Sequence, residues 1–197
     1  MDIRNWNRDA WNHRVDAGIR WTLPVDSGVI QQAREGKWEL FAQREGLTIK
    51  TVEGDMADLS MFENETFGLI VHPCSNCFVP EVRPVWREAF RVLRPGGVLL
   101  AGFVNPLVYL FHAAALETGD LTVTQTLPWS TLGALSQEEL AQRKADGEPL
   151  WFGHLLTDQI GAGFMLGGFY EDDHGEDDAL SRFTPWLIGT RAIRPVK

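Results

Sequence analysis

The stretch that decides the fold runs from Phe67 to Val104 and reads FGLIVHPCSNCFVPEVRPVWREAFRVLRPGGVLLAGFV. It begins with Phe67–His72, a nearly all-apolar run that is typical of a parallel strand buried on both faces. Pro80–Leu93 carries apolar side chains at helical spacing and predicts an amphipathic helix. The sequence RPGG at 94–97 breaks that helix, and the apolar run 98–104 predicts the next strand. The order strand, helix, strand indicates a layered α/β fold.

Upstream of this stretch, the pattern predicts one more helix and one more strand. Val29–Leu40 has apolar residues on one helical face, and Gly46 is a suitable stop for a continuation of that helix. Leu47–Val52 alternates apolar and polar residues, as a half-buried strand does. Glu53–Leu59 is then the turn that follows this strand.

Downstream, the pattern predicts a helix at Ser136–Arg143 and two late strands, Ala162–Tyr170 and Phe183–Ile193. The acidic loop Glu171–Asp178 lies between the two strands, so we expect a closing antiparallel hairpin. This loop lacks the ligand spacing and terminal glutamate of a calcium-binding EF-hand, which favours a solvated loop.

The composition excludes several classes of protein. The chain has 197 residues, of which 44% are hydrophobic and 23% charged, as in a globular protein. Its net charge of -9 argues against a nucleic-acid partner. No apolar run is long enough to span a bilayer, so we expect no membrane partner. The polar N-terminus lacks the apolar segment of a signal peptide, so the expected location is the cytoplasm.

The only two cysteines, Cys74 and Cys77, form a C-x-x-C motif close to His72. A zinc site or a redox pair is one interpretation of this motif. A closed zinc site needs about four ligands, and the sequence has no second C-x-x-C and no closely spaced histidine pair. We therefore predict no metal and interpret the segment as a strand-to-helix loop at the rim of a pocket.

Three motifs together resemble the second half of the class I S-adenosylmethionine-dependent methyltransferases, and in particular the type 11 small-molecule group. They are Gly54–Leu59 (GDMADL), Phe67–Val71 and Phe90–Gly97 (FRVLRPGG), the last followed by an apolar strand. The resemblance implies a Rossmann-like sheet, S-adenosylmethionine as cofactor and methyl transfer to a small-molecule acceptor. It also implies two parts of the chain, a helical, tryptophan-rich extension over 1–40 and a partial methyltransferase domain over 41–197.

The resemblance also suggests site residues, because ligands of open α/β sheets bind beyond the carboxyl ends of the strands. Asp55 is placed to accept a hydrogen bond from the adenine amino group, and Met56 offers a soft apolar surface to the ring. His72 and Pro73 are the further expected cofactor contacts, and Asn76 is the expected substrate contact. Asp55 has a second interpretation as the cap of its own turn. No residue is identified as a catalytic base.

The first half of the family pattern is missing. No G-x-G-x-G motif precedes Gly54, and no apolar strand of the required kind lies between residues 25 and 46. We therefore predict a truncated sheet that lacks the first β-α-β unit, with the junction near Leu40 and Phe41. Strands 47–52 and 67–72 should then pair directly or leave an exposed edge, through which a second copy could form a homodimer.

Two functional hypotheses follow from this pattern. The chain is either a methyltransferase that still binds its cofactor, or a catalytically inactive remnant that has lost cofactor binding and serves as a binding or interaction module. An incomplete gene product would give the same sequence as a genuine deletion.

Overall fold

The structure is a computed structural model that describes residues 1–18, 50, 52–154, 158–172 and 179–196. The chain divides into two compact units. One comprises Met1–Gly54 with Glu139–Pro149, and the other comprises Asp55–Glu138 with Leu150–Lys197. The division predicted from the sequence, at residue 40, remains a prediction.

The helices are α1 (Ile3–Asp16), α2 (Arg83–Val92), α3 (Ala113–Glu117), α4 (Thr131–Ala134), α5 (Gln137–Ala145) and α6 (Asp158–Gly161). The strands are β1 (Phe67–His72), β2 (Leu93–Val104), β3 (Trp129–Ser130), β4 (Phe152–Gly153), β5 (Met165–Asp172) and β6 (Leu187–Ile193).

The first unit contains α1, which begins at a capped N-terminus. The Asp2 side chain accepts a hydrogen bond from the Asn5 backbone N–H at 3.0 Å and so satisfies one of the orphan donors of the first turn. The indole of Trp6 is buried and donates to the Glu148 carbonyl oxygen at 2.9 Å. The Arg14 guanidinium pairs with the Glu148 carboxylate. At least one of the N-terminal tryptophans is therefore a packing residue.

The second unit is built on a four-stranded sheet in the order β1-β2-β6-β5. β1 and β2 are parallel, whereas β6 is antiparallel to both β2 and β5. The predicted C-terminal hairpin is confirmed, with β5 and β6 beginning three to four residues later than expected. A small second sheet pairs β3 with β4. No helix of the described residues is both long and apolar enough to cross a membrane.

One face of the sheet, which we call the covered face, packs against α2. Pro84 lies in the first turn of α2, where its missing N–H costs nothing, and the helix ends at Val92 because Leu93 is extended. Trp86 is at the centre of the resulting core. The other core residues come from α2 and the residue that precedes it, from alternate positions of β2 and β6, and from the segment before β5. They are Val82, Val85, Ala89, Leu93, Leu99, Ala101, Phe103, Phe164, Ile188 and Ala192.

The RPGG motif is part of β2 and does not lie before it, so the strand starts five residues earlier than predicted. Gly96 has a φ of +78°, which favours glycine. A β-carbon at Gly97 would lie 2.8 Å from the Arg94 carbonyl oxygen. The backbone N–H of Gly96 donates to the Arg194 carbonyl oxygen at 2.8 Å, so the motif also anchors the end of the chain.

The opposite face, which we call the second face, corrects one expectation. β1 was predicted to be buried on both sides, but Leu69 is 55% exposed and Val71 is 65% exposed. Side chains alternate along a strand, and α2 packs only against the covered face, so these two residues lack that cover. Within the described residues β1 pairs only with β2 and lies at the sheet edge.

Two predicted elements are not tested by the fold. The helix at Val29–Leu40 lies outside the described residues. The strand at 47–52 also lies outside them, except for Lys50 and Val52, neither of which is in a strand. Direct pairing between 47–52 and β1 therefore remains a prediction. The helix predicted at Ser136–Arg143 is confirmed as α5, with a shift of one to two residues.

Candidate cofactor and acceptor site

The loop that follows β1 is held tightly against β2. The Cys74 backbone N–H donates to the Gly102 carbonyl oxygen at 3.1 Å. A β-carbon at Gly102 would come within 3.3 Å of the Cys74 sulfur, so glycine allows this close approach. Because β1 and β2 are parallel, the loop lies at their common carboxyl edge, where ligands of α/β sheets bind.

His72 and Asn76 form a hydrogen-bonded pair in this loop, between the imidazole Nε2 and the amide Oδ1. The imidazole packs against the indole of Trp86 in an edge contact, with 5.3 Å between the ring centroids. Burial lowers the pKa of His72 below its ordinary value, although the bond to Asn76 opposes this shift. The histidine is therefore neutral at pH 7.

Asn76 is only 4% exposed, and its Nδ2 is buried without a hydrogen-bond acceptor. A buried amide donor without an acceptor costs about 1–3 kcal/mol unless a ligand or water meets it. The Nδ2 donor of the predicted substrate contact is thus buried at the carboxyl edge, and its role in acceptor binding remains a prediction. Asn76 begins a short 3-10 helix, Asn76–Phe78, that leads towards α2.

Asp55 and Met56 lie in the turn that precedes β1. One carboxylate oxygen of Asp55 accepts from the Ala57 backbone N–H at 2.9 Å, so the capping interpretation holds. A carboxylate accepts up to about four hydrogen bonds, so this bond is compatible with a second one from an adenine amino group. Met56 packs against the hydrophobic core with part of its side chain.

An ion pair on α2 fixes the position of the same turn. Glu88 accepts from the Leu59 backbone N–H at 2.8 Å, and Arg91 donates to the Leu59 carbonyl oxygen at 2.9 Å. Glu88 and Arg91 also bond each other at 2.7 Å. The side chain of Arg91, through its hydrogen bonds, holds the pKa of Glu88 below its ordinary value. A shallow cleft of about 450 Å³ separates residues 57–60 from the outer side of α2.

A second buried polar pair lies on the covered face. The Thr190 hydroxyl donates to the side-chain amide oxygen Oε1 of Gln159 at 2.9 Å. Thr190 pairs with Ala101 across the sheet and Ala101 pairs with His72, so all three lie in one row. Sequence analysis assigned no role to Gln159, which follows the polar residues Thr157 and Asp158 and carries no distinguishing local signal.

The two cysteines are free thiols. The Cys77 sulfur donates to the Cys74 carbonyl oxygen at 3.2 Å. Burial raises the pKa of Cys77 to about 12 and also raises that of Cys74. Neither thiol is thus activated as a nucleophile. No group of three or more potential metal-ligating side chains occurs in the part of the chain that the structure describes.

The comparison with known proteins gives a consistent assignment. A family model described as a methyltransferase domain matches residues 26–101. A protein of Bacillus subtilis (strain 168), the uncharacterized methyltransferase YbaJ, is 34% identical over 249 aligned residues, which cover 95% of this chain and 97% of that protein.

Solved structures show a similar fold. A Listeria monocytogenes protein assigned to the S-adenosylmethionine-dependent methyltransferases superposes with a TM-score of 0.52 at 12% identity, over 80% of this chain and 75% of the other. A SAM-dependent methyltransferase of Methanosarcina mazei gives a TM-score of 0.50 at 17% identity, over 88% of this chain and 80% of that protein. These two structures support the Rossmann-like fold.

The alignment with the Bacillus subtilis protein also bears on the predicted truncation. It spans 249 positions, which is 52 more than the 197 residues of this chain. Because it reaches nearly the whole of both chains, those positions lie inside the alignment and not beyond its ends. A β-α-β unit takes about 30 residues or more, so the internal difference is long enough for the missing unit.

Proposed function

Because the chain belongs to the class I S-adenosylmethionine-dependent methyltransferases, we propose that it binds this cofactor through a retained half-site and methylates a small-molecule acceptor. The observation that carries the proposal is the anchored loop after β1, which brings His72 and Asn76 to the carboxyl edge of the sheet. The turn at Asp55 and Met56 supplies a carboxylate and an apolar surface, the two groups that the resemblance assigns to the adenine ring.

The proposed cofactor-binding residues are Asp55, Met56, His72 and Pro73. S-Adenosylmethionine, when bound, supplies a methyl group on a positively charged sulfonium. The described residues fit its adenine side, because Asp55 is half-buried and held in a fixed turn. The sequence contains no glycine-rich loop before Gly54 that could contact the remainder of the cofactor.

The proposed acceptor contact is Asn76, whose buried Nδ2 donor has no acceptor among the residues that the structure describes. A small organic molecule suits this position better than a nucleic acid, since the chain carries a net charge of -9. The proposed location is the cytoplasm, in keeping with two free thiols and no disulfide.

The alternative function is that of an inactive remnant that serves as a binding or interaction module. The observation that favours it is the missing glycine-rich loop, together with 52 or more aligned positions that have no counterpart in this chain. The two functions differ in one measurable property, the affinity for the cofactor.

Calorimetric titration of the folded protein with S-adenosylmethionine and, separately, S-adenosylhomocysteine decides between them. Micromolar binding supports the enzyme, and no heat at millimolar ligand supports the remnant. Asp55→Ala should weaken binding about 10- to 100-fold, the size of a lost charge-assisted hydrogen bond. Asp58→Ala is the matched control, because Asp58 makes the same kind of turn, accepting from the Ser60 N–H at 3.1 Å.

We also propose that two copies of the chain pair along the outer edge of β1, which would place cross-strand neighbours beside Leu69 and Val71 on the second face. Sedimentation velocity should then show a dimer that the double variant Leu69→Lys/Val71→Lys loses. Val123→Lys is the control, since Val123 is exposed and lies outside the four-stranded sheet. A wild-type protein that is monomeric at about 100 μM would remove this proposal.

A further inference from the structure

We propose that His72 is the proton acceptor of the site, held by Asn76 in the tautomer that carries its hydrogen on Nε2 and leaves the Nδ1 lone pair for the methyl acceptor. The inference rests on the proposed function and deepens it. It assigns a catalytic residue, where the sequence offered none, and a positioning residue.

The hydrogen bond between His72 and Asn76 sets the tautomer. In the structure the Asn76 atom that faces Nε2 is the side-chain amide oxygen Oδ1, and with the amide in this orientation the hydrogen of the pair is assigned to Nε2. A neutral imidazole has one N–H, and its other nitrogen is then an acceptor. The edge contact with Trp86 keeps the ring in this orientation.

The second nitrogen, Nδ1, is available. It makes no hydrogen bond within the described part of the chain, and the side chain of His72 is half-buried, whereas Trp86 beneath it is fully buried. Asn76, in contrast, is buried and fixed in its 3-10 helix, so it serves as a rigid support. The arrangement matches the general pattern in which one group orients a base that faces the reactant.

Burial keeps this histidine neutral, because it disfavours the charged imidazolium. The influences on its pKa are burial, which lowers it, and the Asn76 bond, which raises it; no charged side chain of the described residues contributes. A neutral imidazole at pH 7 can take a proton without first losing one.

The need for a base indicates the class of acceptor. A neutral amine attacks with its lone pair and can lose its proton afterwards, whereas an alcohol or phenol must lose its proton as the new bond forms. We therefore assign a small hydroxyl compound. Its oxygen forms a bond to the methyl carbon as the O–H bond breaks. The proton goes to Nδ1, and the electron pair of the broken carbon–sulfur bond stays on sulfur. The resulting imidazolium returns its proton to solvent.

Long-range ¹H–¹⁵N correlation spectra of the wild-type protein test the tautomer without any substrate. At pH 7.5 the His72 ring should give the Nε2–H pattern, and its titration midpoint should lie below about 6.5. Asn76→Ala should produce a mixture of tautomers. A wild-type Nδ1–H pattern, or a midpoint above 6.5, overturns the inference.

A second measurement tests the chemistry with tritiated S-adenosylmethionine and a set of small phenols as probes. His72→Gln places an amide N–H where Nε2 lies and removes the base, so it should preserve the contact with Asn76. Turnover should fall about 10²- to 10⁴-fold, well beyond the loss of cofactor affinity that the proposed His72 contact with the cofactor accounts for. His72→Asn, whose amide reaches only as far as Nδ1, should lose both the base and the contact.

The outcomes separate this inference from the proposed function. If the wild type binds no cofactor, the proposed function fails, and the catalytic role of His72 fails with it, whatever the tautomer. If the wild type binds cofactor but methylates no phenol, or if His72→Gln keeps turnover within threefold, only the inference fails. Retained binding with lost turnover supports both.

Discussion

The two faces of the sheet differ sharply although the same strands form both. Leu99 is fully buried on the covered face, and its neighbour Leu100 is 39% exposed on the second face. Both are leucines in the middle of β2, so neither composition nor strand propensity separates them. The difference comes from α2, which packs against one side of the sheet only. An apolar sequence can thus make a strand without deciding how many of its faces are buried.

The largest expected effect comes from a matched pair of truncations at this position. Leu99→Ala should lower the free energy of unfolding by about 2–5 kcal/mol, because it leaves a cavity in a packed core. Leu100→Ala should cost about 1 kcal/mol or less, since its side chain already meets solvent. Urea unfolding followed by circular dichroism measures both. Equal losses of unfolding free energy would show that Leu100 is as buried as Leu99 in solution, and the two faces would then not differ.

A smaller effect is expected from the buried polar pair on the covered face. Thr190→Val removes the hydroxyl that donates to the side-chain amide oxygen of Gln159. This should lower the free energy of unfolding by about 1–3 kcal/mol, because the buried amide oxygen loses its donor. Adding Gln159→Leu should recover part of that loss, since both polar groups are then gone. If the two single losses simply add in the double variant, Gln159 and Thr190 are not coupled.

The pH dependence of stability should also reflect the covered face. The pKa of His72 is lowered in the folded protein, so below its unfolded value of about 6.5 the unfolded chain binds more protons at this residue. Stability should therefore fall as the pH falls below about 6.5, until the lower folded pKa is passed. The slope of unfolding free energy against pH between 7.5 and 5 should be smaller in His72→Gln. An identical slope in both proteins would mean that burial does not shift this group.

The smallest effect is expected for charges on the second face. Leu69→Lys and Val71→Lys should each change the unfolding free energy of the monomer by about 1 kcal/mol or less, because substitutions of exposed residues usually have small effects. Denaturant titration at a concentration where only monomer is present gives the value. A loss above about 2 kcal/mol would show that these side chains are buried in the folded monomer.

Much of the fold could be predicted from local patterns. β1 was predicted at its observed bounds, Phe67–His72, and α2 within three residues, because both are short, strongly patterned and bounded by proline or glycine. The hairpin of β5 and β6 followed from two runs of strand-forming residues separated by a turn. The start of β2 was misplaced because Pro95, Gly96 and Gly97 look like a break, whereas β2 runs through them as an irregular stretch, in which Gly96 has a φ of +78° and the pairing with β1 jumps from Leu93 to Val98.

The site could be predicted only in part. The motifs correctly indicated the turn at Asp55 and the loop at His72–Asn76, but whether those residues bind cofactor and acceptor remains a prediction. The pair Gln159 and Thr190 was not predicted, because these residues lie 31 positions apart and meet only when α6 packs on the sheet. Capping of its own turn was one of two interpretations of Asp55, and the structure shows the corresponding hydrogen bond, from the Ala57 backbone N–H to the Asp55 carboxylate.

The sequence by itself determined the α/β class, the family and the absence of the glycine-rich loop, because these depend on residue types at short, fixed spacings. Only the tertiary structure decided which face of β1 and β2 is covered, which nitrogen of His72 meets Asn76, and which buried polar groups find partners. Those features depend on contacts between distant segments, and the direction of a side chain in space is set by what packs against it.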